Sequence, residues 1–445
     1  MTVQLIGHSE AGRPIFVVHT GPPTAAVRIL IVAGQHGDEP RGREAVRRFA
    51  HSGSRARPGS PPVALAIMPE LNPDGIVQGT RRNAHGIDLN RDHVRLAGSE
   101  TRALHQFVRT WRPHLVLDVH DFPPRRRHLL ARQLVYCQDV FLDVPTHPAA
   151  QHAALGLDGW RFLPPVLAGL SAAGWRCARY TRVTNSARVR HSTPDIVDAR
   201  NGLALRYRLP TVLVEARGRS TRDAAGLEAH VLAGVARTLD LIVQWAQDHR
   251  AELIGLIGLI GPIGPIGDPP GRAVDDSVPV RTRYRPAAGP CRLEFADARS
   301  GRIRTVDAPG RYTPELDGAG VVTLPRAYAV PRVQPGVLEV LWRHGFDLVR
   351  PAPDRLERVE RYRVEELTPS RRPNRSPHEL RLSVRIEHGP LHDQLLVPVT
   401  AEGGAALAVL LEPASKHGLA RFRELDLCLT PRSDYPVARV VPENA

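Results

Sequence analysis

The sequence predicts an α/β domain built on a helix-covered sheet, followed by a smaller β-rich C-terminal domain. At 445 residues the chain is longer than one hydrophobic core usually needs. Short β-branched runs alternate with amphipathic helical patterns up to residue 250, which is typical of α/β sheets with covered faces. After residue 275, short segments of alternating polarity recur between turn residues, as in β-rich domains. We therefore predict domains at 1–250 and 275–445.

Four strands and three helices are predicted in the first domain. The strands are Val27–Ala33, Val63–Met68, Leu115–Val119 and Thr211–Val214. One helix is predicted to begin at Pro40, whose ring suits a first helical turn. The other two cover Ser99–Trp111 and Ala224–His249. Ligand sites in such sheets lie beyond the carboxyl ends of the strands, so the residues that follow each strand are the candidates for chemistry.

The two predicted domains are separated by a low-complexity segment. Residues 253–267 repeat a triplet ending in Gly, and together with the flanking residues they predict a linker at 251–274 without chemistry. Beyond it, strands are predicted at Cys291–Phe295, Val337–Leu341, Glu360–Val364 and Leu380–Ile386. No His, Cys or carboxylate cluster stands out in this part of the sequence, which favours a structural or substrate-gating role.

Composition argues against several classes of function. The net charge of +14 comes almost entirely from arginines spread along the whole sequence, so we predict no nucleic-acid binding. No apolar run is long enough to span a bilayer, and we predict no membrane partner. The start has no basic segment followed by an apolar one, which predicts a cytoplasmic protein, or a periplasmic or secreted one if the start is truncated. The four cysteines lie far apart, which predicts reduced thiols. The oligomeric state is left open.

Two of the predicted strands lead into metal-ligand patterns. The first strand is followed by Gly-Gln-His-Gly-Asp-Glu-Pro, and His36 and Glu39 within it can reach one metal ion. His120 ends the third strand. Imidazole nitrogen with carboxylate oxygen suits zinc and leaves one coordination position for water. The alternatives are a polar surface turn for the first pair and a satisfied buried histidine for His120.

Residues 72–92 carry a third pattern, Asn-Pro-Asp-Gly followed by an arginine-rich loop. Asn90 and Arg91 can clamp a carboxylate by charge-assisted hydrogen bonds. Arg81 can stabilise an oxyanion. Asp88 can orient a ligand imidazole by accepting a hydrogen bond from the ring nitrogen that does not bind the metal. The alternative is an arginine-rich surface loop.

Glu215 ends the fourth strand, where a carboxylate is costly unless it has a function or a partner. Beside a metal-bound water it can accept a proton and return it to a leaving amine. The alternative is a salt bridge with Arg217 at the end of the strand.

Together these segments resemble the zinc carboxypeptidases of the M14 type, including their relatives that act as amidases or deacylases. The resemblance rests on the order of the motifs over residues 1–250, and it includes the opening phrase Ile6–Ile15. It implies a mixed central sheet flanked by helices. It also implies one zinc ion per chain, held by His36, Glu39 and His120.

The same resemblance implies the roles of the remaining site residues. Arg81 is expected at the oxyanion, Asn90 and Arg91 on the terminal carboxylate of the substrate, and Glu215 as the general base. The active-site tyrosine of the family has no matching motif in this sequence, and Tyr180 and Tyr207 are candidates for it. Arg200 and Asn201 lie in the same region and are expected to contact the substrate.

The predicted function is a metallocarboxypeptidase that removes C-terminal residues from peptides. A second hypothesis keeps the site and changes the substrate, to N-acyl amino acids or cell-wall peptides cleaved by an amidase or deacylase. A third, from another class, is an inactive metal-binding member that acts as a binding module. The expected partner is a peptide or N-acyl amino acid.

Overall fold

The computed structural model has an eight-stranded mixed sheet at the centre of its first region. The structure describes residues 1–52, 59–151, 159–184, 189–191, 193, 195–220, 223–258, 277–287, 289, 291–308, 312–313, 315–352, 356–369, 378–425, 427 and 429–442. In its described part, no helix is both long and apolar enough to cross a bilayer.

The elements of the first region, up to residue 258, alternate between strands and helices. The strands are β1 (Thr2–His8), β2 (Pro14–Thr20), β3 (Val27–Ala33), β4 (Val63–Met68), β5 (Leu115–Phe122), β6 (Leu134–Tyr136), β7 (Val140–Asp143), β8 (Cys177–Arg179), β9 (Arg182–Val183), β10 (Val189–Arg190) and β11 (Thr211–Arg217). The helices are α1 (Pro40–Ser52), α2 (Pro73–Gln78), α3 (Ser99–Trp111), α4 (Arg127–Leu130), α5 (Pro148–Gln151), α6 (Gly159–Ala172), α7 (Ala199–Tyr207), α8 (Leu227–Asp248) and α9 (Arg250–Gly258).

The later region, from residue 277, consists mainly of strands. They are β12 (Ser277–Arg285), β13 (Cys291–Asp297), β14 (Ile303–Ala308), β15 (Glu315–Thr323), β16 (Ala327–Pro331), β17 (Glu357–Pro369), β18 (His378–Gly389), β19 (Gln394–Pro398) and β20 (Ala438–Val440). Its described α-helices are α10 (Pro335–Arg343) and α11 (Gly404–Leu411), and short 3₁₀ helices span Leu419–Arg421 and Arg423–Leu425.

The order of strands in the central sheet is β1-β2-β4-β3-β5-β11-β7-β8. Its inner strands β4, β3, β5 and β11 run parallel, whereas β2 and β7 pair antiparallel with this parallel group. The predicted mixed sheet is therefore confirmed, and the four predicted strands are these four inner ones. Both β5 and β11 extend three residues past their predicted ends, so His120 and Glu215 lie inside strands.

Both faces of the sheet are covered, because successive side chains of a strand point to opposite faces. On one face, Ile29, Ile31 and Leu117 pack with helices α1, α6 and α8 in one hydrophobic core. On the other face, Leu30 and Val116 pack against α3 and α7.

The later region packs directly against the first. Strand β13 pairs with β6 of the first region, and a large core joins Ala204 and Leu205 of α7 to Tyr328 and Leu407 of the later region. The predicted boundary at residue 250 stays a prediction. Across it, the structure has a shared core.

Two helices lie where the sequence predicted a strand and part of a linker. The prediction of a strand at Val337–Leu341 is wrong, because the segment lies in helix α10. Its buried residues Val337, Val340 and Leu341 have helical spacing, and Pro335 occupies the first turn. Helix α9 occupies positions 251–258 of the predicted linker, and positions 259–274 lie outside the described residues.

Buried neutral histidines should make this fold sensitive to acid. Burial lowers the pKa of His147 and of His344 to about 3 and that of His114 to about 4. Because these pKa values are depressed, the unfolded state binds protons that the folded state does not as the pH falls below about 6.5. The free energy of unfolding should therefore decrease on acidification, by up to about 2 kcal/mol per fully buried ring at pH 5.

Urea unfolding of wild type and His147→Asn between pH 7 and pH 5 measures this effect at one site. Asn can still accept the hydrogen bond that Ala149 N donates to His147 Nδ1, but it does not titrate. The variant should lose less stability than wild type on acidification. Parallel pH profiles for the two proteins would contradict the assignment.

Candidate metal centre

Three neighbouring parallel strands bring the candidate residues to one edge of the sheet. Strand β3 lies beside β5, and β5 lies beside β11, with Glu215 directly opposite His120 in the register. Because these strands are parallel, their carboxyl ends meet at the same edge. Residues far apart in the sequence thus become neighbours.

His36, Glu39 and His120 converge at this edge. Each offers one ligand atom, and these atoms all lie within 4.8 Å of one another. The Glu39 carboxylate lies between the two rings, with Oε1 2.7 Å from His36 Nδ1 and Oε2 2.8 Å from His120 Nδ1. Among the described residues, these three form the group of His, Cys and carboxylate side chains that could hold a metal ion.

The outer nitrogens of both rings face carboxylates. His36 Nε2 lies 3.1 Å from Asp88 Oδ1, and His120 Nε2 lies 2.9 Å from Asp118 Oδ1. Histidine ligands of zinc commonly donate their second N–H to a carboxylate, which fixes the tautomer and the ring orientation. The residues present therefore fit a zinc ion bound through both Nδ1 atoms and Glu39.

The electrostatics of the cluster favour a positive charge at its centre. Burial alone would raise the pKa of Glu39, but His120 and His36 outweigh it and hold that pKa below its usual range. Burial would lower the pKa of His120, but Asp118 and Glu39 raise it well above its usual range. A divalent cation would satisfy the same excess of carboxylates.

Helix α1 holds Glu39 in place. The Asp121 carboxylate accepts hydrogen bonds from Arg41 N at 2.9 Å and Gly42 N at 2.6 Å. Both N–H groups belong to the first turn of α1 and have no acceptor within the helix itself. In return, Asp121 N donates to Glu39 Oε2 at 3.2 Å. The end of β5 and the start of α1 are thereby fixed to each other.

The Asn-Pro-Asp-Gly motif supports the loop that carries His36. A Cβ atom on Gly37 would lie 1.9 Å from the carbonyl carbon of Gly75, so both loops need glycine at their closest approach. Asn72 connects them, because its Nδ2 donates to Gln35 O at 3.1 Å and its Oδ1 accepts from Gly75 N at 2.8 Å. The motif is thus part of the support of the site.

The opening phrase of the sequence is fixed to the same motif. The Asp74 carboxylate, which is fully buried, accepts hydrogen bonds from Ser9 Oγ at 2.7 Å, Ala11 N at 3.0 Å and Arg13 Nη1 at 2.8 Å. The hairpin of β1 and β2 therefore braces the loop behind the candidate metal ligands.

The arginine-rich loop places Arg81 at the cluster. Its Nε donates to Asp88 Oδ2 at 2.9 Å, and its Nη1 donates to Glu39 Oε1 at 3.3 Å. Its side chain is 39% exposed, so part of the guanidinium also faces solvent. Asp88 therefore has two partners, His36 and Arg81, and its role in orienting a metal ligand stays a prediction.

Asn90 and Arg91 differ in their surroundings. Asn90 is buried; its Oδ1 accepts from Ala199 N at 2.8 Å, and its Nδ2 lies 3.1 Å from His120 Nε2. The Oδ1 end of this side chain is thus engaged inside the protein, whereas Nδ2, itself a donor, cannot donate to His120 Nε2 while that nitrogen donates to Asp118. Arg91 is exposed and donates to the Asn90 carbonyl oxygen. Contact of either residue with a substrate stays a prediction.

Glu215 lies partly exposed beside His120. Burial raises its pKa to about 7, His120 and Arg126 act to lower it, and Glu39 acts to raise it. A carboxylate with a pKa near neutrality is suited to exchange protons at physiological pH. Burial, followed by the Glu215 charge, also raises the pKa of Tyr180, so this candidate tyrosine lies near the carboxylate.

Arg200 and Asn201 are held by partners in the protein. Arg200 Nη1 donates to Asp143 Oδ2 at 2.7 Å, and both side chains are buried. Asn201 Oδ1 accepts from Thr146 N at 2.8 Å and His147 N at 3.0 Å. These bonds fix helix α7 to the segment after β7, and the predicted contacts with substrate stay predictions.

The sequence analysis assigned no role to Gln35, Asp118 or Asp121, which contact the cluster directly. Each adjoins a predicted ligand or lies two positions from one, and Asp118 shares the strand face of His120. Side chains alternate between the two faces of a strand, so residues 118 and 120 share a face, and this spacing could have indicated Asp118. Gln35 and Asp121 depend on tertiary contacts that sequence spacing does not reveal.

Comparisons with known proteins agree with this geometry. A family model described as the succinylglutamate desuccinylase/aspartoacylase catalytic domain matches residues 25–135. Carboxypeptidase 2 of Trichophyton rubrum is 25% identical over 240 residues, which cover 52% of this chain and 44% of the relative. Carboxypeptidase SOL1 of Arabidopsis thaliana is 38% identical over 98 residues, 20% of each protein.

Solved structures with a similar fold were also found. A metallo-carboxypeptidase from Pseudomonas aeruginosa, in complex with (2-guanidinoethylmercapto)succinic acid, has a TM-score of 0.41 and 19% identity, covering 56% of this chain and 65% of that one. The murein-tripeptide amidase from Escherichia coli O157 has a TM-score of 0.33 and 19% identity, covering 53% of this chain and 91% of that one. This likeness is loose, and the similarity to carboxypeptidases rests on the sequence matches.

The matched residues 25–135 contain His36, Glu39 and His120, which converge at the edge of the central sheet. The chain spans 33% to 45% of the length of the fungal carboxypeptidases that it matches. With the sequence relatives, this makes its α/β region similar to M14-type metallocarboxypeptidases in the broad sense, which includes amidase and deacylase relatives.

Proposed function

We propose that this protein is a zinc-dependent hydrolase that cleaves an amide bond next to a free carboxylate, as a metallocarboxypeptidase that removes C-terminal residues from peptides. The proposal is carried by one observation. Three metal-ligand side chains converge at a strand edge, and Glu215 lies directly beside one of them, His120, in the sheet. A metal ion and a proton acceptor are the two parts that such hydrolysis requires.

The chemistry is divided between the metal and the protein. Zinc, when bound, supplies a Lewis acid that makes water nucleophilic near neutral pH. Glu215 accepts the proton of the attacking water and returns it to the nitrogen of the leaving amine. Its raised pKa, about 7, suits both halves of this transfer.

Two arginines supply the fixed positive charges. Arg81 donates to Glu39 and Asp88 and keeps part of its guanidinium toward solvent, so it can stabilise negative charge that develops on the substrate carbonyl oxygen. Arg91 is exposed on the same loop, and its free N–H groups can bind the carboxylate of the residue to be released.

A second candidate keeps this site and changes the acyl group. The match of residues 25–135 to the succinylglutamate desuccinylase/aspartoacylase domain favours an amidase or deacylase of N-acyl amino acids or cell-wall peptides. Both candidates need the free carboxylate on the leaving side. A panel that pairs peptides with N-acyl amino acids, each with the same leaving amino acid, separates them by relative kcat/KM.

The first prediction concerns the proton acceptor. Glu215→Gln removes the base but keeps the size of the side chain, so turnover should fall by about 100-fold or more, because general-base catalysis contributes on the order of 10²–10⁴. Zinc content should stay at the wild-type level, since Glu215 does not belong to the ligand cluster. Elemental analysis and hydrolysis assays on the same preparations measure both quantities.

Glu228→Gln is the matched control, because the Glu228 side chain is 46% exposed on helix α8. It should retain wild-type turnover. A Glu215→Gln enzyme with near wild-type turnover would exclude Glu215 as the base. A wild-type protein that binds zinc but cleaves no member of the panel would instead favour the inactive binding module.

The second prediction concerns the leaving side of the substrate. Arg91→Met should raise KM for substrates with a free carboxylate by about tenfold or more, since a hydrogen bond to a charged group contributes about 1.5–3 kcal/mol. The same variant should cleave the corresponding carboxamides as slowly as wild type does. Steady-state kinetics on matched carboxylate and carboxamide substrates measure the difference.

Arg82→Met is the control, because Arg82 is exposed nine residues before Arg91 in the same loop and donates to Gly86 O. Its KM values should match those of wild type. An unchanged preference for carboxylates in Arg91→Met would show that another group binds the terminal carboxylate.

A further inference from the structure

Behind the candidate metal ligand His120 lies a set of buried polar side chains that the proposed reaction does not use. We define the buried polar network as Asp118, Gln35, His93, His105 and Tyr207. None of these residues is more than 6% exposed. Burying so many polar groups is costly unless each one is hydrogen-bonded.

The network begins at the metal ligand. His120 Nε2 lies 2.9 Å from Asp118 Oδ1, and Gln35 Nε2 donates to the same oxygen at 2.6 Å. Gln35 Oε1 lies 3.1 Å from His93 Nε2. The amide of Gln35 therefore connects the carboxylate that orients His120 to the first of two further imidazole rings.

The network continues away from the metal centre through two rings and a phenol. His93 Nδ1 lies 3.1 Å from His105 Nε2, and His105 Nδ1 lies 2.8 Å from the Tyr207 hydroxyl. Burial lowers the pKa of His93 to about 4 and that of His105 well below its usual range, so both rings are neutral at physiological pH. A neutral ring has one donor and one acceptor nitrogen.

The direction of every hydrogen bond in the network follows from Asp118. A carboxylate oxygen accepts, so Gln35 must turn its NH₂ group toward Asp118 and its carbonyl oxygen toward His93. His93 must then donate from Nε2 and accept at Nδ1. His105 must likewise donate from Nε2 and accept at Nδ1, where the Tyr207 hydroxyl donates. The opposite amide orientation would place two acceptor oxygens 2.6 Å apart.

The far end of the network is held by the later region of the molecule. Arg109 interacts with the Tyr207 hydroxyl, and its Nη1 donates to Arg343 O, at the end of α10, at 2.8 Å. The rings of His105 and His344 meet edge to face with centroids 5.5 Å apart. Contacts to residues 343 and 344 thus enclose the end of the network.

We propose that the buried polar network positions His120 for metal binding by fixing the orientation of Asp118, and that the later region of the protein anchors its far end. This inference rests on the proposed metal site. Partners behind a ligand typically change metal affinity by 10–100-fold, and here the partner is itself held by a directed series of donors. His93, His105 and Tyr207 are therefore positioning residues.

Long-range proton–nitrogen correlation spectra of the zinc-loaded protein, labelled at histidine nitrogen, test the direction of the network. His93 and His105 should both appear as neutral rings with the proton on Nε2, and should stay so down to pH 5. A proton on Nδ1 of either ring would overturn the proposal. This measurement uses wild type and does not depend on the folding of any variant at these positions.

Zinc affinity tests the positioning role. His93→Leu removes the donor to Gln35 and should weaken zinc binding by about tenfold or more, measured by competition with a chromophoric chelator. His93→Gln keeps an amide donor and should recover most of the affinity. His114→Leu is the control, because His114 is a buried histidine immediately before β5 that accepts from Arg28 N outside the network.

The outcomes separate this inference from the proposed function. Lower thermal stability in both leucine variants, with zinc affinity reduced in His93→Leu alone, supports positioning. Equal zinc affinity in wild type and His93→Leu reduces the network to a structural role and overturns the inference. A wild-type protein that takes up no zinc would overturn the proposed metal site instead.

Discussion

The structure of the candidate site depends on one carboxylate, that of Glu39, lying between two imidazole rings, one from the loop after β3 and one from β5. The Glu39 oxygens reach His36 and His120 because α1 starts immediately after the loop that follows β3, and Asp121 fixes that start. Such close packing of ionisable groups is unfavourable without compensating charge. A cation at the centre of the cluster would supply that charge, and metal binding would then be coupled to local folding.

Around this cluster, the protein provides a second layer of oriented groups. Asp88 and Asp118 hold the outer nitrogens of the two rings, and Arg81 connects Asp88 to Glu39. The same carboxylates that orient the ligands also make the site negative, whereas the loop that faces it carries arginines. A substrate with a free carboxylate would therefore meet positive charge before it reaches the metal centre.

The sequence allowed much of this to be predicted, for physical reasons that differ between residues. His36, Glu39 and Glu215 follow or end apolar strands, and parallel strands bring such positions together. The helix at Pro335–Arg343 was misread as a strand, because five residues of mixed polarity fit both periods. The members of the buried polar network behind His120, including Gln35 and His93, carry no motif, since their contacts arise only when the α/β region packs. The shared core with the later region was hidden for the same reason.

The central claim is that His36, Glu39 and His120 bind one zinc ion through two imidazole nitrogens and a carboxylate. X-ray absorption at the zinc edge of the metal-loaded protein, together with the zinc-to-protein ratio, tests it most directly. The account predicts one zinc per chain with nitrogen and oxygen neighbours at about 2.0–2.2 Å. A sulfur neighbour at about 2.3 Å, or a protein that retains no zinc, would contradict it.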